Sequence, residues 1–445
     1  MSTINLRSVI ETSRLAPAIS AETGHWTCDD LLHVCRFSPV AAAASGKKVA
    51  LRFHDPAKLA LTLIALDGVA ASLFLVSSDL PPGGALPKLI DDFRPDLIIS
   101  DEPGAAEEVP QLRWTDELLA REHGIGYNSE TEWVLATSGT TGSPKLVAHS
   151  LRSLMRTTKV GNERKLRWGQ LYDLCRFAGV QVFLQGLLGG RVLLLPAQSA
   201  SLDSRLRFLR DSQCEALSAT PTLWRKVLMT SGMDDWPLKQ ITLGGEIADA
   251  SILNALKARF PEARIAHVYA STEAGVGFSV SDGLPGFPLS YLEDGCMTIV
   301  EDRLFIATVG GTYLNYSQPI RDLNGFIDTG DVVQVVDERC IFLGRANGAI
   351  NVGGNKLFPE EVETILLELD EIHAARVFAK PSPITGQIVV AELVVSDAQI
   401  EPKAIRKLAL DHCASRLERW KIPAMIQIKA SLENSASGKL DRKTA

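Results

Sequence analysis

The sequence predicts an α/β protein: a large N-terminal domain of mainly parallel sheets flanked by helices, then a small α+β C-terminal domain. Three observations predict this. Short apolar, strand-like runs alternate with helix-like segments through the first two thirds of the chain, the pattern of a sheet with helices on its faces. At 445 residues the chain exceeds what one hydrophobic core organises. After about Val335 the pattern restarts as a short unit of its own.

Taken in order, residues 48–53 predict a strand, 56–66 a helix and 95–100 another strand. The apolar stretch from Leu59 to Val76 raises the question of a membrane span, but Asp67-Gly68 interrupts it. A helix ending near Leu66, a turn and a buried strand over 69–76 account for it better than a bilayer helix. Residues 133–137, 191–195 and 239–243 predict further strands, and 202–211 and 250–260 helices. In the last unit, Pro359 suits a first helical turn and Glu360 and Glu361 suit its positive end. Val362, Ile365, Leu366 and Leu369 then recur at helical spacing. An extended run at 374–379, a strand at 387–395, a helix from Pro402 to about Trp420 and a strand at 424–429 complete it.

The net charge of -7 argues against a nucleic-acid partner, because no basic surplus exists to neutralise phosphates. The seven cysteines are scattered and odd in number, with no CxxC pair, so neither a zinc cluster nor a disulfide framework is indicated. Together with an N-terminus lacking an apolar signal core, this predicts a cytoplasmic protein.

The chemistry begins at Ser138-Gly139-Thr140-Thr141-Gly142-Ser143-Pro144-Lys145, directly after a strand. Glycines let a backbone approach an anion and turn amide N–H groups toward it, the hydroxyls add donors, and Lys145 adds charge. A Walker A loop needs GxxxxGK[ST] opening a helix. Here residues 145–149 look extended instead, so the loop predicts a phosphate site capping a hairpin.

Thr137 through Lys145 resembles the signature loop of the adenylate-forming superfamily, which contains acyl- and aryl-CoA synthetases, adenylation domains of nonribosomal peptide synthetases and beetle luciferases. Further segments in the same order carry the resemblance over most of the chain. Val268 to Glu273 resembles the family's YGxTE segment, with Ala270 in place of glycine. That implies Tyr269 as a flat face for adenine, Thr272 at the α-phosphate and Glu273 as the carboxylate holding Mg²⁺. Gly244-Gly245-Glu246 resembles the adenine loop. Asp328-Thr329-Gly330-Asp331 resembles the segment whose last aspartate holds the ribose, and Arg345 belongs to the following Gly-Arg pair.

The resemblance further implies a boundary between domains 1–346 and 347–445, with the small domain mobile about a hinge at Asn347, where most members place Asp or Lys. Asparagine tolerates the backbone angles a hinge demands. Gly353 and Gly354 would border a tunnel for the thiol acceptor. Lys439, in Ser437 to Arg442, resembles the family's catalytic lysine. A carboxylate about 3.5 Å from a phosphate charge is repelled by roughly 5 kcal/mol at an effective dielectric near 20, and an ammonium between the two offsets much of that.

The acid pocket implied by the resemblance comprises Arg176, Phe177, Gly179, Gly245 and Gly275. Arg176 stands where CoA synthetases often carry histidine. Its planar fork suits a carboxylate, so contact with the substrate acid, including a second acidic group, is one reading; pairing with Asp173, turned away, is the other. A rival register aligns Asp173 with the aspartate that grips the α-amino group in amino-acid-activating domains. The resulting expectation is a ligase using ATP, Mg²⁺ and a small carboxylic acid, with CoA as thiol acceptor. The alternatives are a stand-alone domain loading a separate carrier protein's phosphopantetheine, with no carrier domain expected on this chain, and a non-catalytic nucleotide-binding scaffold.

Overall fold

The computed structural model describes residues 4–12, 16–37, 39–81, 84–102, 109–114, 130–137, 144–161, 165–233, 235–307, 311–314, 324–382, 386–396 and 400–432. Strands Lys48–Arg52, Ser72–Val76 and Leu97–Ser100 are continuous apolar runs buried almost throughout, as strands are when helices cover both faces of a parallel sheet. They pair in parallel, and Glu132–Ala136 and Gln111–Arg113 extend the parallel run at either side. Leu146–Ser150 then folds back antiparallel on Glu132–Ala136, and Thr312–Tyr313 closes that edge.

The helix Pro56–Leu66 follows the first of these strands. Asp55 caps it, its carboxylate accepting the Ala57 N–H at 2.8 Å, and Pro56 fills the first turn where no N–H is needed. The helix ends at Leu66 and the chain returns as the strand Ser72–Val76, so the apolar stretch is core helix plus core strand. Among the described residues no helix is long and apolar enough to cross a membrane. Just past the helix, the buried Asp67 accepts the Leu6 N–H at 2.7 Å and the Trp133 indole N–H at 2.8 Å. Burial pushes its carboxyl up to about 6 despite both donors.

A second sheet is built the same way. Ala18–Ala21, Val192–Leu195, Arg167–Gln170, Ala216–Ala219, Gln240–Gly244 and Arg264–Ser271 lie side by side in parallel, with antiparallel edges at Gly24–Trp26 and Gly275–Val280. Helices Phe177–Leu188, Leu202–Asp211, Pro221–Met229 and Ala250–Arg259 connect the strands. Ser201, Thr220 and Asp249 cap the last three, each side chain accepting a first-turn N–H.

A third sheet departs from the mainly parallel expectation. Phe287–Pro288, Met297–Val300, Arg303–Ile306, Ile327–Val336 and Arg339–Arg345 pair antiparallel throughout. The restart expected after Val335 therefore falls inside a hairpin of this sheet, turned by Asp337 and Glu338 at φ 46° and 61°. Its apolar cluster includes Phe278, Phe287, Leu304 and Cys340. Among the described residues, the last core cluster begins only at Ile350 and runs to Ile426. That cluster holds together the hairpin Ile350–Val352 and Asn355–Leu357, the helices Pro359–Leu366 and Pro402–Arg416, and the strands Ile372–Ser382, Gly386–Val395 and Met425–Ile428. The second of these helices stops at Arg416, with Leu417 extended at its C-cap, short of the expected Trp420.

Candidate active site

The hairpin of Glu132–Ala136 and Leu146–Ser150 is clasped at its loop end. The Thr137 N–H donates to the Lys145 carbonyl at 2.9 Å, and the Lys145 N–H donates to the Thr137 hydroxyl at 3.1 Å. The expected phosphate loop hangs from this clasp: Ser138, Gly139, Thr140, Thr141 and Gly142 lie outside the described residues, as does Lys439. The Lys145 ammonium sits 4.9 Å from the centre of the Tyr313 ring and 3.5 Å from its hydroxyl, within range of a cation–π contact.

Thr272 and Glu273 lie in the turn joining Arg264–Ser271 to Gly275–Val280. The Ser271 hydroxyl accepts the Ala274 N–H at 3.0 Å and tightens that turn, while the Glu273 carbonyl accepts the Gly311 N–H. Behind Thr272 stands the buried His149, bonded to the Thr272 backbone and packed on the Phe177 ring at 5.7 Å. Burial drives the His149 imidazole down to about 4, so it is neutral at physiological pH.

Tyr269 precedes this turn. Its ring stacks with Phe342 at 5.2 Å and with Phe278 at 5.4 Å, and its hydroxyl donates to the Asp331 carboxylate. Burial, then Asp331, drives the phenol far above its ordinary range. Asp331 and Arg345 are register partners on adjacent strands of the third sheet, with Arg345 Nε 3.5 Å from the carboxylate. Arg345 Nη2 also donates to the Thr329 carbonyl at 2.9 Å. Pairing within one antiparallel ladder thus fixes the acid and the base beside each other.

On the neighbouring strand, where Gly244 pairs with Val268, Gly245 follows Gln240–Gly244 with φ +85°, a left-handed value that suits glycine. The Glu246 carboxylate accepts the Thr222 N–H at 2.9 Å, at the positive end of the helix Pro221–Met229. The Tyr172 hydroxyl donates to the Gly244 carbonyl at 3.1 Å.

All these elements face one cleft of about 2050 Å³. Thr137, Lys145, Gly244, Gly245 and Glu246 line it, with Tyr269, Thr272, Glu273, Asp331 and Arg345. So do Arg176, Phe177 and Asn347, the last in a 3₁₀ turn over Ala346–Gly348. Two glycines expected at the acid pocket do not. Gly179 packs against the backbone of Asp173 and Leu174, so it lets a helix approach a turn and forms no wall. Gly275 has φ +74° with nothing within 4 Å of its missing Cβ: it serves the turn after Glu273. Gly353 and Gly354 are also absent from the cleft; at φ +60° and +92° they form the exposed two-residue turn of the hairpin after Ile350. Arg176 and Asp173 do form an ion pair, Nε to Oδ2 at 3.8 Å, while Arg176 still lines the cleft, so the two readings of this residue are not exclusive.

Sequence reading missed Tyr313 and Phe342 on the cleft and the buried His149 that holds the Thr272 backbone. The aromatics belong to short or mixed-burial strands without periodic signal. Among the described residues no cluster of three or more His, Cys, Asp or Glu could hold a metal; Glu273 is a single carboxylate on the cleft wall. Mg²⁺ suits such a donor set, because it binds through one or two carboxylates with phosphates and waters completing its shell.

A family model described as AMP-binding enzyme matches residues 73–300, and one described as AMP-binding enzyme C-terminal domain matches residues 361–439. Surfactin synthase subunit 1 of Bacillus subtilis is 24% identical over 415 residues, which covers 81% of this chain and 11% of that protein. The 2-succinylbenzoate–CoA ligase of Bacillus cereus is 23% identical over 449 residues, covering 93% of this chain and 91% of the relative. The crystal structure of the anthranilate CoA ligase AuaEII in complex with anthranoyl-AMP matches with a TM-score of 0.82 at 16% identity, over 99% of this chain and 96% of the other. That likeness is one of fold.

Proposed function

The chain belongs to the AMP-binding enzyme family, an adenylate-forming superfamily, and from that membership we propose that it is an acid–thiol ligase of the acyl- or aryl-CoA synthetase type. MgATP and a carboxylic acid give acyl-AMP and pyrophosphate, and the acyl group then passes to the thiol of CoA. The observation that supports this reading is the gathering of Lys145, Thr272, Glu273, Asp331 and Arg345 on one cleft. In this reading the loop from Ser138 to Gly142 and Lys145 hold the phosphates, and Thr272 meets the α-phosphate. Glu273 holds Mg²⁺, which neutralises charge on the phosphates when bound. Asp331 and Arg345 grip the ribose side. Tyr269 and the segment from Gly244 to Glu246 enclose adenine.

Lys439 is the residue that lets two anions meet. It belongs to the small domain, residues 347–445, which in this reading turns about Asn347 and afterwards presents Gly353 and Gly354 to the thiol arm. Arg176, Phe177 and Gly245 border the acid.

A second acceptor is supported by the match of 81% of the chain to a part of surfactin synthase subunit 1: a separate carrier protein's phosphopantetheine. One experiment tests both. Acid-dependent exchange of labelled pyrophosphate into ATP over an acid library reports the first half-reaction, and CoA or a holo-carrier is then offered to the accumulated acyl-AMP. Clearance by CoA supports the ligase and clearance by the carrier supports the alternative. ATP binding without exchange for any acid refutes both and leaves a nucleotide-binding scaffold.

A further inference from the structure

One group in the cleft constrains the acid. Arg176 is the N-cap of the helix Phe177–Leu188, in extended backbone. Its side chain lines the cleft and is 19% exposed. Its Nε is buried and makes no hydrogen bond with any described residue, and at 3.8 Å the Asp173 oxygen is too far for one. Asp173 is engaged elsewhere: Oδ2 accepts the Ser77 hydroxyl at 2.6 Å and Oδ1 accepts the Cys175 N–H at 2.9 Å. Asp173 balances the charge of Arg176 without satisfying its donors.

Two more charges face the same array. The Asp79 carboxyl is pushed up by burial and by Asp173, against the opposing pull of Arg176, Arg205 and His54. Arg205, lowered by burial, faces both aspartates and donates to the Leu171 carbonyl at 2.5 Å. Two carboxylates meet two guanidiniums, so the charge closes within the protein. What remains open is hydrogen bonding at Arg176.

We propose that the acid activated here carries, besides its reacting carboxylate, an uncharged oxygen acceptor such as a hydroxyl or carbonyl, and that Arg176 is the contact that selects it. The proposal rests on the ligase reading above. An uncharged oxygen supplies the acceptor that Arg176 lacks and leaves the charge balance intact. A second carboxylate would bring a third anion against two cations, and a buried charge without its own partner is strongly unfavourable. The second acidic group entertained from sequence is therefore disfavoured by the array around Asp173.

The test is pyrophosphate exchange with matched acids: a parent, its hydroxyl or keto form at each position, and the corresponding dicarboxylate, for wild type, Arg176→Met and Arg176→Lys. Wild type is expected to favour one oxygenated acid over its parent by roughly tenfold to hundredfold in kcat/KM, and over the dicarboxylate. That ratio collapses toward one in Arg176→Met and falls partway in Arg176→Lys, which keeps charge but loses the fork. A wild type preferring the dicarboxylate or the bare parent overturns the proposal even if neither variant folds. An unchanged ratio in Arg176→Met does so too, as does an equal loss for every acid, which would place Arg176 on the reacting carboxylate. Wild type silent with all acids while binding ATP fails the ligase reading itself; exchange with the wrong ranking fails only this inference.

Discussion

Gly179→Ala separates a packing glycine from a pocket glycine. A Cβ at this position would stand 2.6 Å from the Asp173 carbonyl carbon and 2.9 Å from Leu174 Cα, and closer still to the Asp173 carbonyl oxygen. All three are backbone atoms, so none can rotate away. Ordinary contact begins near 3.4 Å, which requires the helix Phe177–Leu188 to move off the turn by roughly an ångström. Overpacking of this kind costs about 3 kcal/mol at the upper end of its usual range, while alanine in a helix regains about 1 kcal/mol over glycine. The net loss is about 2 kcal/mol, a Tm drop of roughly 2–3 °C for a unit of this size by calorimetry. Because the same turn and helix start carry Asp173 and Arg176, KM for the acid rises more than KM for ATP. Gly275→Ala is the comparison: its φ is +74° but its surroundings are open, so only backbone strain of about 1 kcal/mol applies. A Gly179→Ala protein as stable as wild type, or less perturbed than Gly275→Ala, would refute the reasoning.

Lys439→Ala is expected to slow acyl-AMP formation roughly 10²- to 10³-fold, the scale of removing one preorganised charge from a transition state, with ATP affinity retained; wild-type exchange rates would exclude Lys439 from the chemistry. Asp331→Asn removes the ionised acceptor that Tyr269 and Arg345 share, and Kd for ATP by calorimetry rises roughly tenfold to hundredfold; an unaltered Kd excludes Asp331 from the nucleotide grip. Asp67 makes stability pH-dependent. Its folded pKa of about 6 lies above the ordinary 3.8, so its neutral form favours the fold. That contribution is complete below pH 3.8 and is lost as pH rises through 6, about 3 kcal/mol in all. Asp67→Asn cannot titrate, so the wild-type advantage in urea unfolding should decline across this window, and parallel curves for the two proteins would contradict the assignment.

How much was legible depended on how local the cause was. The helix Pro56–Leu66 was readable to the residue because its proline and the Asp67-Gly68 break lie in adjacent sequence. The buried parallel strands were readable because burial on both faces leaves an unbroken apolar run. The antiparallel third sheet was not: strands such as Ile327–Val336 are mostly half-buried or exposed, so they lack both the run and the clean alternation. The cleft residues proposed for the nucleotide side were singled out through the family resemblance, since an isolated Asp331 or Arg345 carries no signal of its own and acquires one only from a cross-strand pairing. Gly179 shows the opposite failure. Motif position suggested a wall, while the contact that requires glycine comes from a turn six residues earlier, seen only in three dimensions.

The N-terminal helix Leu6–Thr12 adds no residue to the cleft, yet its first amide shares one carboxylate with the indole of Trp133. Trp133 sits four positions ahead of Thr137, where the clasp of the glycine-rich loop begins. A fusion tag or a deletion that drags residue 6 out of place therefore leaves the Asp67 carboxylate one donor short, and the slack falls on the strand that carries Trp133. Variants shortened at the front should be judged by nucleotide affinity as well as by yield.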